Sequence, residues 1–149
     1  MINFVDVMGR VLAIDYGKKR CGVAVSDPLR ICANGLTTVK SCDLISFLKD
    51  YCSKEQVDCI VVGKPLTLRG EPSESSAYIE PFLGRLSKEM PTIKIDRIDE
   101  RFTSTIAHKE MAFAGLKKSK REEKELADKT AAVLILTDWL NSAANISPL

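Results

Sequence analysis

Apolar residues run unbroken from Val11 to Ile14 and stop abruptly at an acid, Asp15. A run without polar alternation predicts a strand covered on both faces, with the carboxylate at the lip of the core. Gly17 to Arg20 follows as a turn, and Cys21 to Val25 is a second apolar run. Together they predict an antiparallel hairpin with Lys18, Lys19 and Arg20 at its bend. Ala33-Asn34-Gly35 carries a turn signal ahead of a third short strand, Leu36 to Val39, which completes a meander. Ser41 is a good N-cap for a helix to about Ser53, with Leu44, Ile45, Leu48, Tyr51 and Cys52 on its apolar stripe. Asp58 to Val62 is another buried-type strand, and because it follows a helix it implies a right-handed crossover and parallel pairing.

Gly63 to Pro72 reads as a loop at a strand's carboxyl end, where open α/β sheets keep their ligands, and it carries Lys64 and Arg69. Ile79, Phe82, Leu83, Leu86 and Met90 keep helical spacing, in a helix that either starts near Pro81 or is kinked by it. Ile93 to Ile98 alternate as a fifth strand that runs into Asp99 and Glu100. Thr103 or Ser104 caps a helix that stops at Gly115, and residues 117 to 124 form a basic segment expected to be mobile. The last helix covers about Glu122 to Asn141, with Asp128, Ala131, Ala132, Ile135 and Trp139 on one face. The order predicts a mixed five-stranded α/β layer structure.

Composition narrows the class without changing that picture. With 149 residues, 45% hydrophobic and 28% charged, the chain suits one globular domain spanning 1–149. No apolar stretch reaches the roughly 18 residues of a membrane span, and the first residues lack a signal-peptide pattern, so the expected address is the cytoplasm, away from membranes. Five cysteines without a C-x-x-C pair argue against zinc and for reduced, buried thiols. The single histidine, His108, reads as a surface residue. A net charge of +2 excludes an indiscriminate polycation, so any nucleic-acid binding must come from local patches.

Three acids stand where packing alone would prefer something else: Asp15 and Glu100 at strand ends, Asp128 on an inward helix face. Singly, each could pair with Lys18, Arg20, Arg101 or Lys129. Clustered buried carboxylates require cations, and all-oxygen ligands favour Mg²⁺ or Mn²⁺. Two such ions suit phosphodiester hydrolysis, with the basic bend, the 64–69 loop and the 117–124 segment gripping a polyanion.

The stretches Ile14–Asp27, Val61–Leu66, Asp99–Ser104 and Lys124–Leu136 resemble the four motifs of the YqgF family, also called RuvX, across essentially the whole chain. That family is similar to the RuvC resolvases. The resemblance implies an RNase H-like α/β fold: a mixed five-stranded sheet of order 3-2-1-4-5, its first three strands antiparallel, flanked by helices. It implies a metal-dependent nuclease of ribosome biogenesis trimming the 5′ end of precursor 16S ribosomal RNA, or a Holliday-junction resolvase acting on branched DNA. It carries the catalytic and metal-binding roles onto Asp15, Glu100 and Asp128. Phosphate contacts are then expected from Lys18, Arg20, Lys64, Arg69, Arg101 and Lys124, in a monomer or weak homodimer. Lys64, Thr67 and Arg69 stand where the family usually has an apolar residue, an asparagine and a less basic position, and the two cations make the loop more cationic than the usual pattern. Two other readings compete. Asp15-Tyr16-Gly17 also fits the phosphate-binding hairpin of the sugar-kinase, actin and heat-shock ATPases, although 149 residues cannot supply their second domain. A non-catalytic nucleic-acid-binding module would keep the basic patches and make the acids structural.

Overall fold

A computed structural model describes residues 9–64, 76–99 and 120–142, without the side chains of residues 76 and 120–129. The five strands are β1 (Arg10–Asp15), β2 (Arg20–Ser26), β3 (Ala33–Lys40), β4 (Val57–Lys64) and β5 (Lys94–Asp99). They form one sheet of order β3-β2-β1-β4-β5. β1 pairs antiparallel with β2, and β2 with β3, whereas β4 runs parallel to both β1 and β5. This is the RNase H-like arrangement that the motifs imply. It also places the carboxyl ends of β1, β3, β4 and β5 and the amino end of β2 along the same end of the sheet.

Strand alternation sorts the apolar residues onto two faces. Leu12 and Ile14 of β1, Val23 of β2, and Ile60 and Val62 of β4 point to one side. There they meet Leu44, Ile45 and Leu48 of α1 (Leu44–Lys54) and Ile79, Phe82 and Leu86 of α2 (Ser76–Glu89). Val11, Ala13, Ala24, Cys59 and Val61 point to the other side and are covered by Ala132, Ile135, Leu136 and Trp139 of α3 (Lys120–Leu140). Burial of each large aliphatic side chain contributes roughly 1.5–3 kcal/mol, so both helical layers are needed to hold the central strands. Among the described residues, no helix is long and apolar enough to cross a membrane.

Several local expectations change. The Ala33-Asn34-Gly35 turn is instead part of β3: pairing with β2 continues through all three residues, and the register slips between Gly35 and Thr37 so that Leu36 is the extra residue of a bulge. Ser41 does not cap α1. It opens a short 3₁₀ turn, Ser41–Asp43, and α1 starts after it with no side-chain cap. Pro81 lies inside α2, which begins at Ser76 and not at the proline. Residues 120–124 of the basic segment are the first turn of α3, which begins at Lys120, two residues before its expected start. The helix expected from 103 to 115, and His108 within it, lie outside the described residues.

The end of the sheet remote from Asp15 is locked by one ion pair. A register shift between Arg10 and Val11 leaves Asp58 as the extra residue of β4. Its Oδ2 accepts from the Gly9 N–H at 2.6 Å and from Arg30 Nη2 at 2.8 Å, while Arg30 Nε donates to the Gly9 carbonyl at 3.1 Å. Arg30 is 8% exposed and sits at a φ of 59°, a left-handed conformation costly for a side chain of its size. Asp27 steadies the same loop by accepting from the Ile31 and Cys32 N–H groups, both at 2.8 Å. Its burial raises its pKa, but those backbone donors outweigh this and hold the carboxyl below the usual carboxylate range.

The helical layer over the Asp15 face is tied to the sheet edge by Trp139, whose Nε1 donates to Asp96 Oδ2 of β5 at 2.7 Å. Trp139→Phe removes that donor and part of a ring that is 1% exposed, and should cost about 1–3 kcal/mol in urea unfolding.

Candidate functional site

Asp15 is the last residue of β1 and only 6% exposed. Alternation along the strand puts it on the face of Val11 and Ala13, the face covered by α3. Tyr16, one residue on, turns to the opposite side. Its ring stacks on Phe82 of α2 at 4.5 Å between centroids and lies 6.1 Å from Tyr78. Burial, with Cys21 and Tyr78, pushes the Tyr16 phenol above its usual range, and Arg85 acts the other way. The strand end is thus held from both faces: a carboxylate on one, an aromatic anchor on the other.

The turn that follows is tight for a steric reason, because a Cβ at Gly17 would run into the carbonyl oxygen of Arg20. Ser41 braces the turn from the end of β3. Its Oγ donates to the Gly17 carbonyl at 2.6 Å, and its N–H donates to the Lys19 carbonyl at 3.0 Å. Cys21 Sγ lies 3.4 Å from the same hydroxyl. Lys18 and Lys19 are exposed on the turn, and Arg20 is half-buried where β2 begins. Residue types read in isolation assign Ser41 to a helix cap; its bracing role is a long-range contact visible only once β3 lies beside β2.

Asp15, Lys18 and Arg20 are therefore gathered at one end of the sheet, as expected. Asp15 is paired with Gly22 in the β1–β2 ladder, so Arg20, two residues before Gly22, shares its face. Lys64 ends β4 at the same end and is exposed, but alternation from Ile60 and Val62 puts it on the α1–α2 side, across the sheet from Asp15. Glu100, Arg69 and Arg101 lie outside the described residues, as do the side chains of Asp128 and Lys124. The backbone of α3 carries position 128 one turn before Ala132, whose buried stripe continues through Ile135 to Trp139.

No group of three His, Cys, Asp or Glu that could hold a metal occurs among the described residues. What they do supply is one carboxylate of hard-oxygen character, a donor suited to Mg²⁺ or Mn²⁺. Of the buried thiols, Cys21 turns to the opposite face, and burial, with Asp96, pushes Cys59 up to about 11.

The family model of RuvX, described as Holliday junction resolvase, matches residues 9–142. A Parabacteroides distasonis protein named "Putative pre-16S rRNA nuclease" is 48% identical over 135 residues, 91% of this chain and 96% of that protein. A Porphyromonas gingivalis protein of the same name is 49% identical over 135 residues, 91% of this chain and 98% of that protein. Among solved structures, T. thermophilus RuvC in complex with Holliday junction substrate superposes with a TM-score of 0.59, covering 93% of this chain and 96% of that one. At 18% identity that likeness concerns the fold.

Ser41→Ala should cost about 1 kcal/mol in urea unfolding by removing one partly buried hydrogen bond. Gly17→Ala should cost more, because the added methyl meets backbone and not a flexible side-chain end.

Proposed function

The chain belongs to the RuvX (YqgF) family of nucleic-acid nucleases, and from that premise we propose that it trims the 5′ end of precursor 16S ribosomal RNA by metal-dependent phosphodiester hydrolysis. The observation that carries this reading is the pairing of a buried strand-end carboxylate, Asp15, with the rigid cationic turn Lys18–Arg20 at one end of the sheet. The relatives' shared name supplies the substrate.

In this reading residues 1–149 act as one nuclease domain. Asp15 and Asp128 hold the metal, and Glu100 is a third ligand or orients the attacking water. When bound, one or two Mg²⁺ or Mn²⁺ ions supply a water of lowered pKa and a counter-charge for the leaving oxygen. The protein's own contribution is placement. Burial of β1 on both faces fixes the Asp15 backbone, and the Ser41 brace fixes the turn whose cations meet phosphate. Lys18 and Arg20 grip the backbone near the scissile bond, while Lys64, Arg69, Arg101 and Lys124 hold flanking phosphates. No side chain serves as a covalent nucleophile.

Incubating the purified chain with a 5′-extended 16S precursor, and separately with a four-way DNA junction, tests the substrate. Cleavage of the precursor that stops on chelation of divalent ions is expected. Cleavage of the junction alone would make the chain a resolvase, and binding without cleavage of either would make it a silent module. Asp15→Asn should lower precursor cleavage by more than the roughly 10–100-fold typical of losing an outer-shell partner of a metal, with binding in chelator retained.

A further inference from the structure

Tyr16 is the first residue past both ladders of β1: pairing with β4 runs to Ile14–Val62 and pairing with β2 to Asp15–Gly22. From Gly17 onward the turn is braced by Ser41. Tyr16 joins these two fixed regions, and its ring links it to the helical layer. The ring stacks on Phe82 with centroids 4.5 Å apart and planes 28° apart, and Tyr78 of the same helix stands 6.1 Å away.

The wall behind the ring is itself fixed. Phe82 is 4% exposed and belongs to the core with Ile79 and Leu86. Arg97 of β5 ties α2 to the sheet beside Asp15. Its Nε donates to the Val62 carbonyl at 3.1 Å, its Nη2 to the Gly63 carbonyl at 3.3 Å, and its Nη1 to Glu80 Oε1 of α2 at 3.4 Å. Val62 is the register partner of Ile14, so one arginine sets α2 against the strand end that carries the carboxylate.

The Tyr16 hydroxyl has no comparable role. Among the described residues it makes no hydrogen bond, and burial disfavours its ionised form. What the side chain supplies is a flat face, and stacked rings hold a preferred separation and offset. A single planar peptide unit joins Tyr16 to Asp15, so a shift of the ring is passed to the carboxylate on the other face.

We propose that Tyr16 is a positioning residue for the nuclease: its ring, stacked on Phe82, fixes the aim of the Asp15 carboxylate at a divalent ion. The proposal rests on the nuclease reading above. A site of this kind needs its groups held within about 0.5 Å, and an error of about 1 Å can cost roughly a hundredfold in rate. An anchor one residue from the ligand is placed to prevent that error.

The test is uptake of Mn²⁺ by the chain alone, followed by the paramagnetic resonance signal of the free ion, beside kcat and KM on the 5′-extended precursor and urea unfolding of each variant. Tyr16→Phe should match the wild type throughout. Tyr16→Leu should weaken Mn²⁺ binding by about 10–100-fold, the range for losing an outer-shell partner, and lower kcat at fixed Mn²⁺ with KM unchanged. Phe82→Leu leaves Tyr16 in place but removes its wall, and should do the same. Leu48→Ala, a truncation of a fully buried side chain elsewhere in that layer, should lower stability and leave Mn²⁺ binding unchanged. Unchanged Mn²⁺ binding in the folded Tyr16→Leu and Phe82→Leu variants would overturn the proposal. So would a loss in Tyr16→Phe or Leu48→Ala as large as that in Tyr16→Leu, and so would failure of both stack variants to fold, which would make the stack a requirement of the fold. In each of these cases precursor cleavage by the wild type leaves the nuclease reading standing. If the wild-type chain takes up no Mn²⁺ the proposal fails, and absence of precursor cleavage would then bring down the nuclease reading with it.

Discussion

Burial of β1 and β4 on both faces is the constraint from which the rest of the architecture follows. Leu12, Ile14, Ile60 and Val62 press against two helices on one side, and Val11, Ala13, Cys59 and Val61 press against a third on the other. A strand with no free face can present chemistry only at its ends. The change from apolar to acidic at Asp15 is thus also the change from core to site. The same alternation divides Asp15 from Tyr16, so that one residue faces the helical layer of α3 and the next pins the strand end beneath α2.

The two ends of the sheet are built around different charged groups. At the remote end Arg30 is answered by Asp58 and the Gly9 carbonyl, and Asp27 by two backbone N–H groups. That satisfied network holds a bulge and a left-handed arginine, which would otherwise be costly. At the Asp15 end, Lys18 and Lys19 are exposed on a turn whose backbone is held by the Ser41 hydroxyl and amide. A phosphate backbone recognised by position needs such fixed donors more than it needs base-reading groups.

Ser41 links these themes. Its hydroxyl and amide reach two carbonyls of a turn more than twenty residues earlier, so the order of β2 and β3 in the sheet sets the geometry of the loop beside Asp15. Of the thiols, Cys21 packs into the opposite layer and burial raises Cys59, whereas Cys32 and Cys42 are exposed, contrary to the expectation that the cysteines are buried.

Apolar runs located β1, β2 and β4, because double-sided burial writes itself as an uninterrupted hydrophobic stretch, whereas β3 was read from a turn signal and β5 from alternation ending in an acid. The helical stripe through Ala131, Ala132, Ile135 and Trp139 was equally legible, as was the clustering of Asp15 with Lys18 and Arg20, which are neighbours in sequence. Local chemistry misled where a distant partner outbid it. Ala33-Asn34-Gly35 has turn residues, yet the ladder with β2 absorbed them through a bulge; Ser41 has a cap's side chain, yet the Gly17 carbonyl claimed it. Pairing across strands, and with it the juxtaposition of Arg20 with Lys40 and of Arg30 with Asp58, depends on register, which is set by the packing of whole layers and leaves no short-range trace along the chain.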